Sequence, residues 1–383
     1  MQHLTTSFAD KIPSFISQYL LEIHFNDLAK RRADNFRQNF IMKRIKYLLF
    51  LPAGLALILF SCSKGSDSSS SDTSGNWIKR SEFEGNARTE GVSFVIGDTA
   101  YIGTGYDGTN RYTDLWAYDP VKNFWIQRAQ FPGKARNSAV GFTVGNKGYI
   151  ATGYDGINRL NDNWEYDPVS NSWTQKADFA GTARYDAVAF GINGKGYITT
   201  GFDGGYTKDI WEFTPSGGTG NAGSWLQKPS LGGSKRSGAI AFVYANKAYI
   251  ATGINNGTAV ADFWVYDPAA ASWTQLRDIS NISSDTYDDG YADIVRSNAV
   301  AFVIGDKAFI TVGENGGYNK KTWQYNISDD SWTAKTSYER SERTGAVGFS
   351  VKGRGFVACG RNSTYYFDDL DEFQPDITYN AND

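Results

Sequence analysis

The chain has 383 residues, with 38 Lys and Arg against 41 Asp and Glu, a formal charge of −3 that leaves no basic footprint for a nucleic acid. Its two histidines, His3 and His24, lie near the start, so the rest of the chain cannot build a Ser-His-Asp triad, a Cys-His pair or a histidine-ligated metal site. The 24 Phe, 23 Tyr, 11 Trp and 41 Gly, with short apolar runs between turn signals, point to an all-β protein.

The first element is a processing segment. From Met42 the chain reads "MKRIKYLLFLPAGLALILFSC", with Lys43, Arg44 and Lys46 ahead of the apolar run Tyr47–Phe60. Cys62 follows, with Leu59 at −3 and the small Ser61 at −1, an arrangement that resembles a bacterial lipoprotein signal. Phe60 at −2 is bulkier than that pattern prefers. The alternative is a membrane-spanning anchor, which needs about 20 apolar residues. This run is shorter and contains Pro52 and Gly54. The sequence therefore predicts an upstream extension over 1–41, a signal peptide over 42–61, lipidation at Cys62 and a flexible Ser/Gly tether over 62–75.

Beyond the tether the chain repeats itself. Tryptophans at 77, 125, 173, 225, 273 and 332 open similar phrases, among them "NWIKR", "FWIQR" and "SWTQK". A second series, Trp116, Trp164, Trp211, Trp264 and Trp323, stands before turns such as "YDP". A period near 50 with several short strands per unit marks a propeller blade. In one unit, "NSAVGFTV" alternates as an inner strand a, and "KGYIATG" suits a strand b buried on both faces. "NDNWEYD" alternates polar and aromatic residues as strand c, "DPVSN" turns, and "SWTQK" is the outer strand d.

An Arg before strand a, a "Y-[IV]-x-x-G" strand b, a "W-x-Y-D-P" strand c and a Trp strand together resemble the Kelch repeat. The pattern recurs six times over 76–375, leaving 376–383 as a tail. The usual Gly-Gly closing strand b is Thr-Gly in blades 1–4, Val312-Gly313 in blade 5 and Cys359-Gly360 in blade 6. The last a–b–c set has no Trp strand after it, and the first Trp strand has no a–b–c set before it. The expectation is a six-bladed Kelch-type β-propeller of four-stranded antiparallel blades, with Asn76–Arg80 completing the sixth. Cys359 is expected to be a small core residue.

A residue present in every blade is first a scaffold residue, and the tryptophans are read that way. The arginines Arg88, Arg136, Arg184, Arg236, Arg296 and Arg343 precede the inner strands and could ring one mouth of the axial channel. Unpaired, they would focus positive potential on an anionic ligand; the alternative is that each is paired with a nearby acid or carbonyl. The b–c loops add Tyr106-Asp107, Tyr154-Asp155, Phe202-Asp203, Ile254-Asn255, Glu314-Asn315 and Arg361-Asn362 on the same face. The starts of strand a add Asn137-Ser138, Tyr185-Asp186 and Ser297-Asn298. Aromatic faces beside carboxylates suit a sugar, although packing and turn capping are equally open for the first three loops.

An insertion over Arg277–Val295, with Asp285, Asp288, Asp289 and Asp293, departs from the repeat, but it lacks the calcium-loop pattern of helix–loop–helix proteins. No cofactor and no metal are expected. The resemblance implies partner binding through the b–c and d–a loop face. Galactose oxidase, a copper enzyme on Kelch-like blades, uses histidine ligands that this chain does not supply there. Two functions follow: a non-enzymatic envelope lipoprotein that binds a protein or glycan, or a sugar epimerase or mutarotase using Arg, Tyr and carboxylates such as Glu90, Asp186 and Glu314. The expected location is the bacterial envelope, lipid-anchored at Cys62 and outer-membrane in type, with no nucleic-acid partner.

Overall fold

A computed structural model of the protein describes residues 74–280 and 290–382. Their strands form six four-stranded antiparallel sheets, and two short hairpins extend b–c loops of blades 4 and 6. The fold is the six-bladed β-propeller anticipated above. Blade 1 runs Val92–Ile96, Thr99–Gly103, Leu115–Asp119 and Phe124–Gln127, in the order a to d. Blades 2–5 repeat this order, with inner strands starting at Val140, Val188, Ile240 and Val300. Blade 6 takes Val347–Val351, Arg354–Ala358 and Leu370–Gln374 from the C-terminal end, and Asn76–Lys79 as its outer strand. The closing register pairs Trp77 with Phe373 and Lys79 with Asp371.

Burial follows the pleat. Inner strands alternate buried and half-buried positions, while residues two to five of each b strand are fully covered because they lie between neighbouring sheets. One aromatic pair per blade links strands a and b across the ladder: Phe94–Tyr101, Phe142–Tyr149, Phe190–Tyr197, Phe242–Tyr249, Phe302–Phe309 and Phe349–Phe356, each stacked. The next blade accommodates the ring by keeping its second strand-b residue small. A Cβ on Gly148 would lie 2.2 Å from the Phe94 ring, and one on Gly196 would lie 2.3 Å from Phe142.

The outer tryptophans join blades as well as strands: each packs on the strand-c ring opposite it, as Trp173 does on Tyr166 at 5.0 Å, and reaches the preceding blade. Trp173 packs edge-on against Phe131, 5.2 Å between centroids, and its Nε1 donates to the Ala129 carbonyl in the preceding d–a loop. Trp125 makes the same contacts with Phe83 and Ser81, and Trp225 with Phe179 and Ala177. Trp77 does so across the closure, with Tyr338 at 4.9 Å and the Thr336 carbonyl at 3.1 Å. Cys359 is fully buried in the core.

Because Trp77 alone carries this contact where the two chain ends meet, Trp77→Ala is expected to cost about 3–5 kcal/mol in urea unfolding. Trp273→Ala, at a more exposed position, should cost visibly less. Equal midpoints for wild type and Trp77→Ala would mean that the Trp77 side chain contributes nothing to the closure.

Candidate functional site

The site begins with the six arginines. Each is buried, and five hold a carboxylate from the start of their own strand c: Arg88–Asp114, Arg136–Asp162, Arg184–Asp209, Arg236–Asp262 and Arg343–Asp369. In blade 2, Arg136 Nη1 and Nη2 donate to the two Asp162 oxygens at 2.6 and 2.7 Å, Nη1 also donates to the Thr152 carbonyl, and Nε donates to the Lys134 carbonyl. These guanidinium groups therefore bind loops of their own blade. They do not line the cavity described below.

Backbone bonds then carry the order from blade to blade. The glycine closing each strand b donates its N–H to the arginine carbonyl of the next blade, from Gly105 to Arg136 around to Gly360 to Arg88, at 2.7–2.9 Å. Those glycines have φ between 92° and 105°, and a Cβ on Gly253 would meet the Ser237 carbonyl oxygen at 2.7 Å. The preceding residue sits at φ 52–61°, the left-handed region that Thr, Val and Cys enter at a cost. This explains why only the second residue of the doublet is glycine throughout.

Two residues beyond each arginine stand Glu90, Ser138, Asp186, Gly238, Asn298 and Gly345, all at φ 50–61°. Each donates its N–H to the carbonyl of its counterpart in the preceding blade, closing a ring of six hydrogen bonds of 2.7–3.2 Å around the channel mouth. Below the ring the channel is lined by Gly, Ala, Val, Ile and Ser and encloses about 190 Å³.

Above blades 1–3 the mouth opens into a cavity of about 490 Å³. Glu90, Ser138 and Asp186 from the ring lie at its base, with Asn137 and Tyr185 beside them. Its rim carries Tyr106, Arg111, Tyr154 and Arg159 from b–c loops, and Arg361 and Tyr366 from blade 6. Arg111 lies between two rings, 4.5 Å from the Tyr106 centroid and 5.3 Å from that of Tyr154, and its Nε donates to Asn137 Oδ1 at 2.5 Å. Arg159 lies 5.4 Å from the Phe202 ring. Among the described residues none of Arg111, Arg159 and Arg361 forms an ion pair, so the rim presents uncompensated positive charge.

The base is acidic. Glu90 Oε2 accepts from Asn137 Nδ2 at 2.5 Å and from Ser138 Oγ at 2.8 Å. Burial raises the Asp186 carboxyl, the Glu90 charge raises it further, a Ser138 hydrogen bond opposes this, and Glu314 adds a smaller push. The result is a group titrating at about 7. Around neutral pH the Asp186 carboxyl therefore gains and loses its proton beside the Glu90 side chain.

Of the residues singled out in the sequence, Tyr106 and Tyr154 line this cavity and Phe202 backs Arg159. Asp107, Asp155 and Asp203 cap their own turns: Asp107 Oδ1 accepts the N–H groups of Thr109 and Asn110, Asp155 those of Ile157 and Asn158, and Asp203 that of Gly205. Glu314 accepts from Asn298 Nδ2 at 3.2 Å, and Asp293 pairs with Lys321. Cys62, Asp285, Asp288 and Asp289 lie outside the described residues. The reading of the loops missed Arg111 and Arg159. Their signal was the Asn-Arg that ends "YDGTNR" and "YDGINR" in only two of the six blades.

The Kelch motif matches residues 135–179, which hold blade 2 and its arginine. No curated protein matches the sequence. Among solved structures the chain resembles YjhT, with a TM-score of 0.62 and 19% identity over 76% of this chain and 95% of that one. At that identity the likeness is one of fold.

The acid pair has a measurable consequence. Asp186 ionises near 3.8 in an unfolded chain and near 7 in the folded protein, so between these values the folded state holds a proton that the unfolded state has lost. Its contribution to stability is therefore complete below about pH 4 and is lost as pH rises through 7. Asp186→Asn should flatten the fall in urea midpoint across that window. An unchanged slope would show that Asp186 is not the group responsible.

Proposed function

We propose that this protein binds a hydroxyl-rich glycan unit bearing an anionic group in the cavity above blades 1–3. A Kelch-type propeller is a scaffold for binding or for catalysis, and the cavity decides what is bound. The observation that carries the reading is the convergence of Arg111, Arg159 and Arg361, free of ion pairs among the described residues, with Tyr106, Tyr154, Tyr185 and Tyr366. A cavity of about 490 Å³ suits a small ligand better than a protein surface. Guanidinium groups bind carboxylates in two-point fashion, and tyrosine faces stack on sugar rings while their hydroxyls bond to it.

One observation favours a second reading, in which the bound sugar is also turned over as by an epimerase or mutarotase. Asp186 titrates at about 7, so its carboxyl could donate to the ring oxygen of a sugar while a neighbouring carboxylate such as Glu90 accepts the anomeric hydroxyl proton. The balance of the two readings rests on turnover.

Calorimetric titration with carboxylate-bearing and neutral monosaccharides tests both. Acidic sugars should bind, and Arg111→Ala and Arg159→Ala should each weaken them at least about tenfold without moving the melting temperature. Equal binding of neutral and acidic sugars, or of neither, would sink the proposal. Acceleration of anomer exchange by NMR that Asp186→Asn abolishes would establish the second reading.

We further propose that the chain is held at a bacterial envelope membrane through a lipid on Cys62, with outer-membrane sorting. The support is the basic, apolar and small-residue order of 42–62. In cells fed labelled palmitate the label should follow the protein, and Cys62→Ala should lose it and move the protein out of the membrane fraction.

A further inference from the structure

Blade 5 breaks the arginine arrangement in two places at once. The residue aligned with the paired aspartates is Lys321, two positions before Trp323, as Asp114 stands before Trp116 and Asp162 before Trp164. The short turn that elsewhere ends at the arginine, "FEGNAR" or "FPGKAR", is replaced by a longer segment between Ile279 and Arg296. Arg296 is still held in place: Nη1 donates to the Val312 carbonyl at 2.9 Å and to the Lys321 carbonyl at 3.1 Å. Its Nε and Nη2, however, are buried with no hydrogen-bond partner among the described residues. In the other five blades Nε donates to a turn carbonyl and Nη2 to an aspartate.

A second donor is orphaned beside it. In blades 1–3 the same aspartate also accepts the indole N–H of the strand-c tryptophan, at 2.8–2.9 Å. Trp323 Nε1 has no partner among the described residues and is buried, under Tyr291 at 5.6 Å between centroids. Trp264 Nε1 in blade 4 is also unpartnered, but there Asp262 is present and its Oδ2 accepts the Ser234 N–H instead. Among the described residues, only in blade 5 do guanidinium Nε and Nη2 and the indole N–H all lack an acceptor. Charge points the same way. Lys321 is neutralised by Asp293, which leaves the fully buried Arg296 without an ionic partner among the described residues. Burial lowers the Arg296 pKa to about 10 against a smaller opposing pull from the nearby Asp293 charge, so the group is still a cation at neutral pH. A buried cation with unmet donors is among the costliest states a fold can hold, and a bound anion relieves it.

We propose that blade 5 binds a small monovalent anion, chloride or a carboxylate of acetate size, between Arg296 and Trp323, where the other blades place their own aspartate. The anion completes the blade by accepting from Nε or Nη2 of Arg296 and from the indole N–H. The site is separate from the cavity above blades 1–3. It nevertheless bears on that cavity, because the Arg296 carbonyl accepts from Gly253 and Ser297 pairs with Glu314, whose charge acts on Asp186.

Thermal unfolding of the protein in sodium chloride or acetate, against equal ionic strength of a bulky sulfonate, tests this. The wild-type midpoint should rise by about 2 °C for each tenfold increase in the small anion above its dissociation constant. Lys321→Asp, which restores the aspartate of the other blades, should melt higher in the sulfonate and lose the response. Equal responses in both proteins, or none in the wild type, would overturn the proposal. In the latter case a midpoint lowered by Asp285→Asn, Asp288→Asn and Asp289→Asn together would assign the counter-charge to the chain itself. Should Lys321→Asp fail to fold, bromide-soaked wild-type crystals decide: an anomalous peak at hydrogen-bonding distance from Arg296 supports the site, and its absence refutes it.

Discussion

The buried guanidinium is the interaction on which the rest of the molecule depends. One arginine side chain fixes three pieces of its blade, the turn before strand a, the end of strand b and the start of strand c, through bonds such as those of Arg136 to Lys134, Thr152 and Asp162. Its own carbonyl accepts the glycine N–H of the preceding blade. Burying such a pair is not in itself a large source of stability, since desolvation offsets much of the attraction. What it supplies is position: few other side chains can meet a carboxylate and two carbonyls from one planar group. The loop geometry at the mouth follows from that plane.

From this constraint comes the division between frame and site. The ring of left-handed residues needs only a backbone, so its side chains are free to differ. Glycine occupies it in blades 4 and 6, where the mouth carries no cavity residue from that position, while Glu90, Ser138 and Asp186 occupy three consecutive blades and build the base of the cavity. A sixfold frame thus holds a one-sided site. Glu, Ser and Asp at positive φ are strained by comparison with glycine, and the hydrogen-bonded ring is what keeps them there.

Much of the architecture was legible because it repeats. The Trp spacing gave six blades, and the leftover "NWIKR" phrase gave the closure, since a Trp strand without a blade and a blade without a Trp strand can only be partners. The loop face was legible for the same reason. The cavity was legible in part: Tyr106 and Tyr154 stood out, and Glu90 and Asp186 could be placed on the mouth face. Which acids would pair with the arginines was not, because the aspartate partners of five of them lie 25 or 26 residues further on and the pairing exists only after strands b and c have folded back. The rim cations Arg111 and Arg159 were hidden for the opposite reason. They sit inside the most repeated phrase of the chain, where a residue shared by two blades reads as scaffold until the other four are compared.

The arrangement of charge also bears on how such a cavity would work. Cations stand at the rim and carboxyls at the base, separated by Ser138, Asn137 and the tyrosine rings. An anionic ligand held by the rim adds negative potential above the base, and that potential disfavours ionisation of Asp186 beyond what burial and Glu90 already impose. Binding and protonation are then linked, and by reciprocity a proton on Asp186 favours the ligand as much as the ligand favours the proton. A neutral ligand would leave the base as it is. The acid pair therefore makes the cavity sensitive to the charge of its occupant, even though neither carboxyl needs to touch the charged group.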